Sequence, residues 1–124
     1  MNLNKFAREV HQNAIDHGWY ESPPSFPEVI ALCHSELSEA LDEYRSGHGY
    51  IRYECMYPEN DCRGRQNCDG CECLNPKGVA VELADCILRV LDYCGREGID
   101  IEAIIREKHE YNKTRPYKHG GKRL

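Results

Sequence analysis

Four carboxylates recur at one spacing. The run Ser35-Glu36-Leu37-Ser38-Glu39 places Glu36 and Glu39 three residues apart, and Val81-Glu82-Leu83-Ala84-Asp85 repeats the interval with Glu82 and Asp85. On a helix, residues three apart lie about 60° apart around the axis and one turn along it. Two such pairs on facing helices bring four acids toward one point. Left alone they repel one another and lose hydration. A hard divalent cation removes both costs, and an all-oxygen ligand set selects Mg²⁺ or Mn²⁺ over zinc. For either pair taken singly, the plain alternative is a solvated acidic face. Two details weigh against it. Glu36 adjoins Leu37 and lies one turn from Cys33, and Glu82 and Asp85 sit in the run 79–91, where Arg89 is the only other charged residue. Acids in so apolar a helix are costly unless paired or metal-bound.

A second set of ligand-type residues is the eight cysteines. Cys33, Cys86 and Cys94 fall in helical patterns, and Cys33 and Cys94 are in phase with apolar faces, where a thiol serves as a small core side chain. The other five, Cys55, Cys62, Cys68, Cys71 and Cys73, lie within 19 residues. Cys68-x-x-Cys71-x-Cys73 supplies three close thiols, and Cys55 or Cys62 a fourth, a set suited to tetrahedral zinc. The second half of a paired Cys-x-x-Cys signature is missing. Three readings of this segment therefore stand: a structural zinc site, free thiols in a loop, or disulfides.

The elements that must hold these groups are helical. Leu3, Phe6, Ala7, Val10 and Ala14 mark one face of a first helix, with Gly18 as its stop. Ser25 followed by Glu28 is a capping box opening a second helix, whose apolar series is Ile30, Cys33, Leu37, Leu41 and Tyr44. Ala80, Leu83, Ala84, Ile87, Leu91 and Cys94 predict a third, ending at Gly95 or Gly98. Asp100 caps a fourth, beginning with Ile101, Ile104 and Ile105 and ending before Pro116. Strict alternation is nowhere sustained, so strands have little support. Residues 50–76, rich in cysteine and turn formers, interrupt the pattern between helices two and three. The expectation is an all-α single domain over 1–124, a four-helix bundle with 50–76 as a Cys-rich insertion. Its core is small for the chain length, which favours a homo-oligomer.

Charge narrows the partners. The net charge is −5, but residues 112–124 hold five basic groups and no acid, leaving 11 basic against 21 acidic groups in the rest. An acidic body with a basic tail suits cations in the body and phosphates near the tail, and does not suit a nucleic-acid polymer. No apolar run reaches the roughly 20 residues of a membrane helix. Met1-Asn2-Leu3-Asn4-Lys5 opens no signal segment, so the expected location is cytoplasmic, away from a membrane.

Taken in order, the blocks resemble the MazG-like, all-α nucleoside triphosphate pyrophosphohydrolases. Glu36-x-x-Glu39 followed by Glu82-x-x-Asp85 looks like that family's paired acidic motif. Val10-His11 to Gly18-Trp19 looks like its first helix and turn, and the run 30–41 like its second helix. Lys108, Tyr111-Asn112, Thr114-Arg115-Pro116-Tyr117 and His119-Gly120-Gly121-Lys122 look like the last helix and tail of short stand-alone members. The resemblance covers most of the chain outside 50–76. The 42 residues between Glu39 and Glu82 exceed the usual gap.

The resemblance implies a four-helix bundle that assembles as a dimer or tetramer and hydrolyses nucleoside triphosphates, often deoxy or non-standard ones, to the monophosphate and pyrophosphate. It assigns Glu36, Glu39, Glu82 and Asp85 to Mg²⁺, and Lys108 and Asn112 to the triphosphate. A carboxylate not fully used as a ligand can take a proton from a bound water, with Glu39 the first candidate and Glu36 the second. Arg115 is a further phosphate contact, and Lys118 is as well placed to be a solvated tail charge. Trp19 offers a stacking platform for the base or a packing role at a helix end. His11 is a candidate to reach the substrate or a partly buried helix residue, and His34 a helix residue beside the acids. The alternative function is a non-catalytic nucleotide- or metal-binding module whose insert is a zinc-dependent interaction element.

Overall fold

The computed structural model describes residues 1–55 and 74–118. Six elements follow one another: α1 (Leu3–Asp16), α2 (Phe26–Arg45), β1 (Arg52–Cys55), β2 (Leu74–Lys77), α3 (Val79–Glu97) and α4 (Ile101–Lys113). The chain is mostly helical with one small sheet. The helices start and stop where the capping signals lie. Ser25 Oγ accepts from the Glu28 amide while the Glu28 carboxylate reaches back to Ser25, so both halves of the capping box are made. The Asp100 carboxylate caps α4 through the Ala103 amide. Gly18, Gly47 and Gly98 take positive φ just past the ends of α1, α2 and α3, the left-handed turn that glycine enters without a Cβ penalty.

The sheet is the departure from expectation. The ends of the Cys-rich segment zip into an antiparallel ladder, Arg52 opposite Lys77 through Cys55 opposite Leu74. Four residues per strand are too few for an alternation to register, and Pro76 in β2 speaks against a strand; a two-stranded ribbon tolerates it because one edge of each strand is unpaired. The ribbon is anchored at its base, where Arg52 bonds Glu43 of α2 at 2.7 Å. The Gly49 and Tyr50 carbonyls accept from the Val79 and Ala80 amides and so cap the start of α3. Gly78, at φ +124°, lets them approach; a Cβ there would sit 2.5 Å from the Tyr50 oxygen. Cys55 closes β1, half-buried, whereas Cys62, Cys68, Cys71 and Cys73 lie outside the described residues.

The described chain divides into two compact units, 24–90 and a second made of 1–23 with 91–124; α3 runs through both. In the second unit the first turns of α1 and α4 cap each other. The Leu3 amide donates to Glu102 at 3.0 Å, the Glu102 amide donates to Asn4 at 3.1 Å, and the Asn4 amide group donates to Asp100 at 2.7 Å. These bonds use donors that helix starts otherwise leave without a partner. Ala7 of α1 is buried, and Gly95 of α3 is so close to it that a Cβ on Gly95 would lie 2.4 Å from the Ala7 carbonyl oxygen.

In the 24–90 unit the buried side of α2 is Val29, Cys33, Glu36 and Ala40, a stripe of small residues and one acid. The large residues expected to form the core face, Ile30, Leu37, Leu41 and Tyr44, are exposed on an adjacent stripe, as are Leu83 and Ile87 on α3. Periodicity detects an apolar face but does not say whether it is covered within the chain or by another molecule. Cys33 and Cys94 are buried, as expected of small core side chains, although the large residues in phase with Cys33 are not. Among the described residues no helix is long and apolar enough to cross a membrane.

Candidate metal centre

Both acidic pairs lie within the 24–90 unit, on α2 and on the first half of α3. One carboxylate oxygen from each of Glu36, Glu82 and Asp85 falls within 4.8 Å of the others. An octahedral Mg²⁺ with oxygens at about 2.1 Å needs oxygen separations of about 3 to 4 Å, so small side-chain rotations suffice. All three donors are hard oxygens, as that ion requires. Glu39, the fourth acid, is exposed and hydrogen-bonds with both Glu36 and Glu82. The two helices thus bring all four predicted acids together, three in a mutual cluster and one at its edge.

The cluster is electrostatically strained. Burial and the bonds to Glu36 and Glu39, reinforced by the charges of Glu39 and Asp85, push the Glu82 carboxyl up to about 7. Burial and the Glu36 charge raise Asp85, against the attraction of Arg89 and Lys77. Glu36 is itself 7% exposed, and burial alone would raise it. Bonds from Arg89, Glu39 and Glu82 outweigh that and hold it below the usual carboxylate range. Burial and like charge thus disfavour ionisation of Glu82 and Asp85, while Arg89 favours the ionised form of Glu36. Carboxyls crowded to this degree are a recurrent mark of functional sites.

Arg89 is the residue that sequence reasoning passed over. Its Nε donates to Glu36 Oε1 at 2.7 Å. Its position was a usable signal, since it lies four residues after Asp85 and seven after Glu82, on the acidic side of the same helix. Lys77, at the end of β2, is a second cation acting on the cluster among the described residues, brought there by the unforeseen ribbon. Cys33 and Cys86 also hydrogen-bond across α2 and α3 one turn from the acids, where burial, the main cause, pushes the Cys33 thiol up. A buried thiol with a raised pKa is a poor nucleophile.

The remaining candidates belong to the other unit. His11 Nδ1 and Asp92 Oδ1 are 2.9 Å apart. An ionised carboxylate only accepts, so His11 Nδ1–H is the donor of this bond. The His11 ring meets Tyr20 edge-on at 4.6 Å, and the Tyr20 hydroxyl bonds Asp92 and Arg96. His11 is thus fully engaged on that side as a tie between α1 and α3. Trp19, next to Tyr20, is 73% exposed. On α4, Lys108 lies over the Tyr111 ring at 4.7 Å and Arg115 approaches the same ring at 5.9 Å. Asn112 is exposed beside them. Two of the sequence-predicted phosphate contacts, Lys108 and Arg115, thereby share one aromatic ring.

Tyr20 supports a pH prediction. Burial, then its bond to Asp92 and that carboxylate's charge, raise its hydroxyl to about 12 from 10.0. The folded state therefore holds the phenolic proton more tightly than the unfolded chain. That stabilisation is complete below pH 10 and is lost between pH 10 and about 12. Tyr20→Phe should lower the denaturation midpoint at pH 8, and its deficit relative to wild type should shrink across that alkaline window in urea titrations.

No family model, curated protein or solved structure matches the chain. The functional reading accordingly rests on the site itself.

Proposed function

We propose that the protein is a Mg²⁺-dependent hydrolase that cleaves a nucleoside triphosphate to the monophosphate and pyrophosphate. The observation that carries this reading is the convergence of Glu36, Glu82 and Asp85, with Glu39 at their edge, from two acidic pairs of identical spacing. This is the arrangement expected of the MazG-like pyrophosphohydrolases that the chain resembles. Glu36, Glu82 and Asp85 would hold the cation. When bound, Mg²⁺ (or Mn²⁺) neutralises phosphate charge and lowers the pKa of a water.

The chain's own groups supply the rest. Glu39 lies outside the three-oxygen set yet touches Glu36 and Glu82, so it is free to accept a proton from the attacking water.

The test is incubation of the purified protein with Mg²⁺ and a panel of ribo- and deoxynucleoside triphosphates. Turnover of at least one is expected, abolished in the Glu39→Ala, Glu82→Ala double variant. No turnover, or turnover unchanged in that variant, would overturn the reading in favour of a non-catalytic nucleotide- or metal-binding module.

The exposed stripe Ile30, Leu37, Leu41 and Tyr44 supports the further expectation of a homo-oligomer, a dimer or tetramer in which a second copy covers that face. Leu41, 49% exposed, is the probe. Sedimentation velocity should give a dimer or larger for the wild type, and Leu41→Glu should shift it toward monomer.

A further inference from the structure

Resting on the metal-site reading, we propose that Arg89 is a displaceable counter-ion of the acidic cluster. It neutralises Glu36 while no cation is bound, releases it when a divalent cation takes the carboxylates, and then offers its guanidinium to a phosphate oxygen of the substrate.

Three features of the side chain carry this. The first is its weak hold. Arginine has five N–H donors in a rigid fork, and its strongest carboxylate pairing uses two of them in parallel. Arg89 reaches Glu36 through Nε alone, at 2.7 Å, and its terminal nitrogens have no partner among the described residues. The second is asymmetric burial. The Arg89 side chain is 39% exposed and the Glu36 side chain 9% exposed. Arg89 loses little on swinging into water, whereas a buried Glu36 carboxylate cannot lose its positive partner without a replacement. A divalent cation is such a replacement, and it repels the guanidinium it displaces.

The third feature is place. Arg89 stands on α3 on the side that carries Glu82 and Asp85, so once released it remains beside the cluster. The planar ends of its fork match the geometry of a phosphate. The same residue thus opposes cation binding before substrate arrives and favours the anion afterwards. These opposite signs set it apart from an arginine that merely braces α2 against α3, whose loss would weaken every ligand.

The experiment measures Mn²⁺ binding alone, by titration calorimetry or by the free-ion EPR signal, in wild type, Arg89→Gln, Arg89→Lys and Glu82→Gln. Circular dichroism confirms that each variant is folded. Inorganic tripolyphosphate is then titrated at saturating Mn²⁺. Arg89→Gln should bind Mn²⁺ about 3- to 10-fold more tightly than wild type and tripolyphosphate about 10-fold more weakly, with Arg89→Lys, which keeps the charge but not the fork, between the two in both. Mn²⁺ binding in Arg89→Gln that is equal to or weaker than wild type, or unchanged tripolyphosphate binding, would overturn the proposal for Arg89. Absence of Mn²⁺ binding in wild type, or binding unaffected in Glu82→Gln, would overturn the metal-site reading and this proposal with it.

Discussion

Glu82→Gln is expected to lower triphosphate hydrolysis by at least about 100-fold while making the cation-free protein more stable. The two effects share one cause. Glu82 is the acid most crowded by its neighbours, in contact with Glu36 and Glu39 and within the field of Asp85. A glutamine keeps the size and the hydrogen bond but brings no charge. Without a cation, the substitution removes like-charge repulsion from a partly desolvated site, and the melting midpoint should rise by a few degrees, roughly the response to 1 kcal/mol in a chain of this size. With a cation, it removes one of three anionic ligands. A 100-fold loss corresponds to about 2.7 kcal/mol of transition-state stabilisation, a modest figure for a ligand to a catalytic ion. A structural acid would behave oppositely, losing stability and leaving activity intact. Melting in the presence of a chelator, paired with initial rates at saturating Mg²⁺, distinguishes the two.

Gly95→Ala should destabilise the fold by about 2 kcal/mol, although alanine is the better helix former. Propensity in a helix interior favours alanine over glycine by about 1 kcal/mol. Packing opposes it with more force. The added methyl would lie 2.4 Å from the Ala7 carbonyl oxygen, 3.0 Å from its carbon and 2.9 Å from His11 Cβ. Two of those atoms are backbone, so relief requires α1 to move away from α3 rather than a side chain to rotate. Overpacking of this kind costs about 1–3 kcal/mol, and displacing α1 also disturbs the His11–Asp92 bond. Thermal melts of Gly95→Ala and Gly95→Ser should both fall below wild type. A midpoint at or above wild type would mean that α1 and α3 do not meet at this glycine.

The parts of this molecule written in local chemistry were legible in the sequence. Ser25 with Glu28, Asp100, and the glycines at 18 and 98 mark helix ends because caps and left-handed turns depend on residues within a few positions. The acids were legible for the same reason, since an i, i+3 interval fixes which side of a helix each pair occupies. Relations between elements were not. Nothing local told that Ile30, Leu37 and Leu41 would face outward while the smaller Val29, Cys33 and Ala40 make the buried contact. A stripe's hydrophobicity does not reveal what covers it. Arg89 was read as an exception in an apolar run, when its interval from Asp85 already placed it beside the acids. The ribbon joining Arg52–Cys55 to Leu74–Lys77 was invisible because its partners lie some twenty residues apart and its strands are too short to show a period.

The central claim is that Glu36, Glu82 and Asp85 hold a cation used to split a nucleoside triphosphate into monophosphate and pyrophosphate. Phosphorus NMR of the reaction, run with and without Mg²⁺, tests it most directly. The expected spectrum shows pyrophosphate and nucleoside monophosphate accumulating in equal amounts, only when the cation is present, and neither in Glu82→Gln. Orthophosphate with nucleoside diphosphate, turnover that persists in chelator, or no turnover of any triphosphate would contradict it.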